Sequence, residues 1–153
     1  MDDTQLEAMF SGVIGQEYDT LKLICPLAAR MSQLVGESVE QYAHKYAPQA
    51  LNIIELGGGT GITTLAILLA SEQLKVLSVD SEPTMQNQAK ASLQEWVRQE
   101  RLSFDADDVL TVLKRTTSAS VDIVASAYTV HNFLDSYRAE VIHEIYRVLK
   151  TGG

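Results

Sequence analysis

The chain has 153 residues, 46% of them hydrophobic, enough apolar material for a real core in one domain. Twenty acids against twelve bases give a formal charge of −8, and no lysine- or arginine-rich stripe interrupts that balance, so the electrostatic footprint of a nucleic-acid binder is missing. A single cysteine, Cys25, excludes an internal disulfide and a cysteine-built metal site, and no apolar run approaches the ~20 residues of a membrane helix. With an acidic start, Met1-Asp2-Asp3, the reverse of a secretory leader, the chain reads as cytoplasmic.

Residues 1–46 read as a helical cap, distinct from the segment 47–153. Pro26 fits the first turn of a helix and Gly36 a C-terminal cap, while Leu27, Met31, Leu34 and Val35 form an apolar stripe for packing on the remainder. From about residue 51, short apolar segments near 51–56, 75–80, 101–105 and 121–126 alternate with helical patterns near 60–71, 83–99, 107–115 and 135–149. That alternation predicts an α/β fold with a parallel sheet and right-handed crossovers. In the second helix Leu93, Trp96 and Val97 give an apolar face; in the last, Val141, Ile145, Val148 and Leu149 do, with Gly152 placed to stop it.

The most informative segment is Asn52-Ile-Ile-Glu-Leu-Gly-Gly-Gly-Thr-Gly-Ile-Thr-Thr64, a strand ending in a carboxylate, a glycine turn and a helix start. Glycines let backbone amides approach a ligand, and a helix start offers unpaired N–H groups to an anion. The dinucleotide fingerprint counted from Gly57 needs glycine where Ile62 stands, and the phosphate loop needs a lysine that Gly61-Ile62-Thr63 lacks, so an NAD-binding module is disfavoured. The pattern that fits is E-x-G-x-G-x-G, from Glu55 through Gly57 and Gly59 to Gly61.

This segment resembles the first motif of the class I S-adenosylmethionine-dependent methyltransferases. Val76-Leu-Ser-Val-Asp80 followed by Ser81-Glu-Pro-Thr-Met85 is similar to the second motif of that family, Leu102–Asp108 to the third and Val121–Ser126 to the fourth. Ile145–Gly153 is similar to the helix and glycine turn before its fifth strand, so the resemblance runs from about residue 51 to the last residue. It implies a Rossmann-like, doubly wound parallel sheet with N-terminal helices, and S-adenosylmethionine or S-adenosylhomocysteine as the bound cofactor. The family's sheet has seven strands, so the chain is expected to be truncated at its C-terminal side. Segment 121–126 would then be an open edge through which two copies self-associate.

The resemblance also implies roles. The loop Gly57–Gly61 would hold the methionyl end of the cofactor, with Glu55 facing its ammonium group or, alternatively, serving as a strand-end carboxylate bonded within the loop. Asp80, with Ser81 beside it, would accept bonds from the ribose hydroxyls or cap the next helix. Met85 would lie over the adenine, unless it packs in the core. Asp107 would take the adenine amino group, with backbone contacts from Ala106 and Asp108, although Asp105 and Asp108 compete for that part. Ser126 would close the cofactor site after the fourth strand, and His131 there is either a base for the acceptor or a histidine satisfied at a helix start. Tyr18 resembles an N-terminal tyrosine that closes over the cofactor. Methyl transfer to a small-molecule acceptor is the leading expectation. A carboxy-S-adenosylmethionine synthase-like enzyme and a non-catalytic cofactor-binding fragment are the alternatives.

Overall fold

A computed structural model describes residues 26–153, and the expectations for Tyr18, Cys25 and the helices before Pro26 lie outside the described residues. Among these, helix α1 (Pro26–Tyr46) leads into strand β1 (Leu51–Leu56), followed by α2 (Ile62–Ala70), β2 (Leu74–Val79), α3 (Pro83–Ser92) and α4 (Gln94–Arg98). Strand β3 (Leu102–Asp105), α5 (Val109–Arg115), β4 (Ile123–Ser126), a single 3-10 turn (Val130–Asn132) and α6 (Asp135–Val148) complete it. All strand pairings are parallel and the sheet order is β3-β2-β1-β4, so the chain reverses direction across the sheet after β3.

Alternate residues of each strand serve opposite layers. Leu51, Ile53, Leu74, Val76, Leu102 and Ala125 face α1 and α2, where they meet Val39, Ala43, Leu65, Ile67 and Leu68. Ile54, Leu56 and Val79 face the other way, onto Val109, Val112 and Leu113 of α5 and Val141 and Val148 of α6. Both faces of the sheet are therefore covered, which is why these strands read as near-continuous apolar runs.

Two expectations for helices are corrected. Gly36 does not end a helix: α1 runs through it, and a Cβ there would lie 2.8 Å from the carbonyl oxygen of Ala66 in α2. The glycine lets two helices cross at backbone contact, and the Ser32 and Thr63 hydroxyls share a buried 2.9 Å hydrogen bond beside the crossing. The segment expected as one helix over 83–99 breaks at Leu93, which leaves the helical region to drop its side chain into the core, while Val97 turns outward. Trp96 packs against the core as expected.

Strand β4 lies at the edge of the sheet. Its lower end is covered in part by the residues that follow α6: Val121 and Leu149 form a parallel bridge, and Lys150 N donates to Val121 O at 2.9 Å. Lys150 Nζ holds both carboxylate oxygens of Asp122 at 2.7 and 2.8 Å, while Tyr42 of α1 donates to Gly152 O at 3.1 Å. Above this clamp, an apolar groove of about 600 Å³ runs between α1 and β4, with Met31, Val35, Ile123 and Leu149 in its walls.

The crossing at Gly36 gives a signed test. Alanine normally stabilises a mid-helix glycine position by about 1 kcal/mol, but here its methyl must displace the Ala66 carbonyl, at a cost of about 1–3 kcal/mol. Gly36→Ala should lower the thermal midpoint and Gly36→Val lower it further. A rise in the alanine variant would mean that the helices separate without cost.

Candidate active site

The carboxyl ends of β1, β2, β3 and β4 converge at one edge, and the loops leaving them bear nearly all the expected site residues. The loop after β1 folds back on β2, with the amides of Gly57 and Gly58 both donating to Val79 O at 2.8 and 3.2 Å. Gly57, Gly59 and Gly61 have φ of 73°, 56° and 96°, a left-handed backbone that side chains resist. Space is a second constraint: a Cβ on Gly57 would sit 1.9 Å from Thr129 Oγ1, and one on Gly58 2.0 Å from Ser78 Oγ. Helix α2 starts at Gly61 with no side-chain cap, so its first amides are left for an anionic group.

Glu55 lies directly beneath this loop, 1% exposed. Its Oε2 accepts from Thr64 Oγ1 at 2.5 Å and Ser78 Oγ at 3.1 Å, whereas Oε1 is buried with no hydrogen-bond partner. Burial pushes its carboxyl up to about 7, with the nearby Asp80 charge adding to the rise and the two hydroxyls opposing it. The alternative of a carboxylate bonded to loop amides is not what the chain uses, since hydroxyls from α2 and β2 hold it instead.

Asp80 stands one residue past β2. Its Oδ2 accepts from Gly59 N at 2.7 Å and its Oδ1 from Glu82 N at 2.8 Å, so it fixes the top of the glycine loop and the turn into α3. The helix cap itself is Glu82, which accepts from Met85 N at 2.8 Å. Ser81 is exposed between them. Met85 is 46% exposed, and its sulfur lies 3.9 Å from where a Cβ on Gly59 would be, so it overhangs the loop and does not fill the core.

Of the acids after β3, Asp108 caps α5 by accepting from Thr111 N at 3.1 Å, and also accepts from Tyr137 Oη at 3.0 Å. Asp105 and Asp107 are both gripped by the guanidinium of Arg115. Asp107 and its neighbour Ala106 remain exposed at the mouth. After β4, Ser126 Oγ donates to Leu56 O at 3.1 Å and ties the ends of β4 and β1 together. His131 lies in the exposed 3-10 turn, its carbonyl accepting from Arg138 at 3.4 Å.

Comparison with known proteins fits this geometry. The family described as "Methyltransferase domain" matches residues 53–153, which is most of the chain. The chain belongs to this family. Its cofactor is accordingly S-adenosylmethionine. No curated protein sequence matches the chain. Among solved structures, an arsenic(III) S-adenosylmethionine methyltransferase from Chlamydomonas reinhardtii is similar at TM-score 0.59 and 25% identity, covering 69% of this chain and 37% of that one. A putative S-adenosyl-L-methionine-dependent methyltransferase from Methanococcus maripaludis is similar at TM-score 0.65 and 20% identity, covering 90% and 60%. A putative sarcosine dimethylglycine methyltransferase from Galdieria sulphuraria is similar at TM-score 0.64 and 14% identity, covering 79% and 43%. The methyltransferase domain therefore spans between about a third and three fifths of the length of these structures.

The site of this methyltransferase domain fits its cofactor. A glycine cradle too tight for a Cβ at Gly57 and Gly58, an unpartnered buried carboxylate oxygen on Glu55 and the two-oxygen acceptor Asp80 match an amino-acid end and a ribose. Several supporting residues escape sequence inspection. Gln86, buried in α3, donates to Asp80 O at 3.1 Å and Asp105 O at 2.8 Å, setting the spacing between the ends of β2 and β3. Lys90 holds its amide oxygen at 2.6 Å. A buried glutamine facing a strand end is the only signal for it, and that orientation exists only after α3 docks. Thr129 and Arg115 have no sequence signal at all.

Two outcomes follow from the carboxylates. The Glu55 pKa is raised from 4.5 to about 7 on folding, so between these values the folded chain holds a proton that the unfolded chain has released. Stability thus falls as pH rises from 4.5 to 7 and levels off above, by about 3 kcal/mol for this group. Urea titrations from pH 5 to 8 should show that decline in the wild type relative to Glu55→Gln; parallel curves would remove the assigned shift. Asp80→Ala should weaken S-adenosylhomocysteine binding about tenfold or more and also cost about 1–2 kcal/mol of stability, because Gly59 N loses its acceptor. Calorimetry and thermal melts on the same sample separate the two effects.

Proposed function

We propose that this domain transfers the methyl group of S-adenosylmethionine to a small-molecule acceptor. The observation that carries the reading is the arrangement of Glu55, the glycine loop and Asp80 at the carboxyl ends of adjacent strands, with Glu55 buried beneath the loop with one oxygen unpartnered and Asp80 holding the loop at Gly59 N. The bound cofactor supplies an electrophilic methyl on a sulfonium with a good leaving group. The residues of the chain then have to hold it and exclude water, and in-line approach of an acceptor does the remainder. Thr129 packs against Gly57 at one end of the glycine loop, and the Met85 sulfur lies over Gly59.

The small-molecule class is supported by two similar structures, one an arsenic(III) methyltransferase and one a putative sarcosine dimethylglycine methyltransferase, and by a charge of −8, which repels polyanionic nucleic acid. His131, exposed in the turn after β4, is the residue we assign as base for an acceptor that must lose a proton. A cytoplasmic location belongs to the same reading and is supported by the single cysteine; no helix of the described residues is long and apolar enough to cross a membrane. Self-association through the open side of β4 and its apolar groove is part of it too.

Isothermal calorimetry tests the cofactor directly. S-adenosylhomocysteine should bind at a single site and NAD should not; preference for NAD would overturn the reading. Light scattering should report a dimer, and a monomer at high concentration would remove the edge contact.

A further inference from the structure

The loop after β4 contains a conformational outlier that the functions assigned above do not use. Tyr128 has φ of 58°, in the left-handed region. A bulky aromatic residue is a genuine outlier there, at a cost of about 1–3 kcal/mol. Such strain persists only where the surroundings over-determine it, and this loop is pinned from every side. Ser126 is tied to Leu56 O at 3.1 Å, and Thr129 Oγ1 donates to Ala127 O at 3.2 Å and Gly57 O at 3.4 Å. Asn132 Nδ2 donates to Tyr128 O at 3.0 Å, and Arg138 binds the carbonyls of Val130 and Phe133 at 3.1 and 2.6 Å. All these bonds go to backbone or to neighbours; none is made to the ring.

The ring is what the strain delivers. Tyr128 is 50% exposed, so core burial does not repay its conformation. Its chain neighbour Thr129 touches Gly57, the first glycine of the cradle. Its hydroxyl reaches the first turn of α1, 3.4 Å from Leu27 O, too long to hold the loop by itself. The side chain thus starts from a residue next to the one that touches the glycine cradle and runs toward the first turn of α1.

We propose that Tyr128 is a cofactor-positioning residue, held in a left-handed backbone so that its ring covers the methionyl end of the cleft. This rests on the cofactor reading above. The ring, not the hydroxyl, is the working part, since an aromatic face suits a cationic sulfonium and shields it from water.

Strain and function separate in a set of variants at this position. Glycine and asparagine both accept the left-handed backbone without the ring. Tyr128→Gly and Tyr128→Asn should raise the thermal midpoint of the cofactor-free protein by about 2–4 °C. The same variants should weaken S-adenosylmethionine binding by about tenfold in calorimetry and affect S-adenosylhomocysteine, whose sulfur is uncharged, less. Tyr128→Phe keeps the ring and should bind within about twofold of the wild type. A strut between β4 and α1 would behave oppositely, with midpoints falling in the glycine and asparagine variants. That result, or wild-type affinity in either of them, overturns the proposal. Failure of the wild type to bind S-adenosylhomocysteine would instead sink the cofactor reading itself.

Discussion

The bond from Gly59 N to the Asp80 carboxylate joins the two motifs on which the site depends. A glycine loop is floppy by composition, and three left-handed residues within a stretch of five have no intrinsic reason to hold one shape. Here the loop is tied down from outside: Asp80 takes the amide at its top, and Val79 O takes the two at its base. Both acceptors belong to the end of β2, so the shape of the loop is inherited from the pairing of β1 with β2. Preorganisation of this kind lets a cleft bind its ligand without first ordering itself.

The same economy governs the carboxylates. Glu55 and Ser78 are register partners across β1 and β2, so strand pairing alone brings the hydroxyl to the buried acid. Its second oxygen is left without a partner, an arrangement that costs stability unless something else needs it. Asp105 and Asp107 are held by one arginine at the end of α5, and Asp108 is spent on capping that helix. Three acids close in sequence therefore divide between two jobs, set by the geometry of a short helix.

Around β4 the structure is locked more heavily than around any other strand end described. Arg138 from α6, Asn132 from the 3-10 turn and Thr129 all fasten a loop of a few residues. Such fastening allows an unfavourable backbone at Tyr128 to survive, in keeping with the general tendency of strain to collect where ligands bind. Below that loop, the Asp122–Lys150 pair and the Tyr42 bond to Gly152 fix the residues after α6 against α1 and the start of β4. The open part of the β4 edge is thus confined to the stretch beside the apolar groove.

The sequence by itself determined the architecture, because the relevant signals are local. Apolar runs bounded by acids and glycines locate β1 to β4 within a few residues, and the alternation with helices dictates parallel pairing. The glycine spacing distinguishes the first motif from a dinucleotide fingerprint. The residues at strand ends, Glu55, Asp80 and Ser126, follow from the same logic, since a loop leaving a parallel strand has to open toward the cleft. Tertiary structure alone decided what each of them touches. Gly36 looks like a helix stop until Ala66 is seen crossing it, and the apolar pattern that places Leu93 inward does not show that the helix breaks there. Gln86, Arg115 and Thr129 carry the site through contacts across 19, 10 and 72 positions of the chain. Contacts between residues so far apart depend on register and helix docking, and these are settled only when both faces of the sheet are covered.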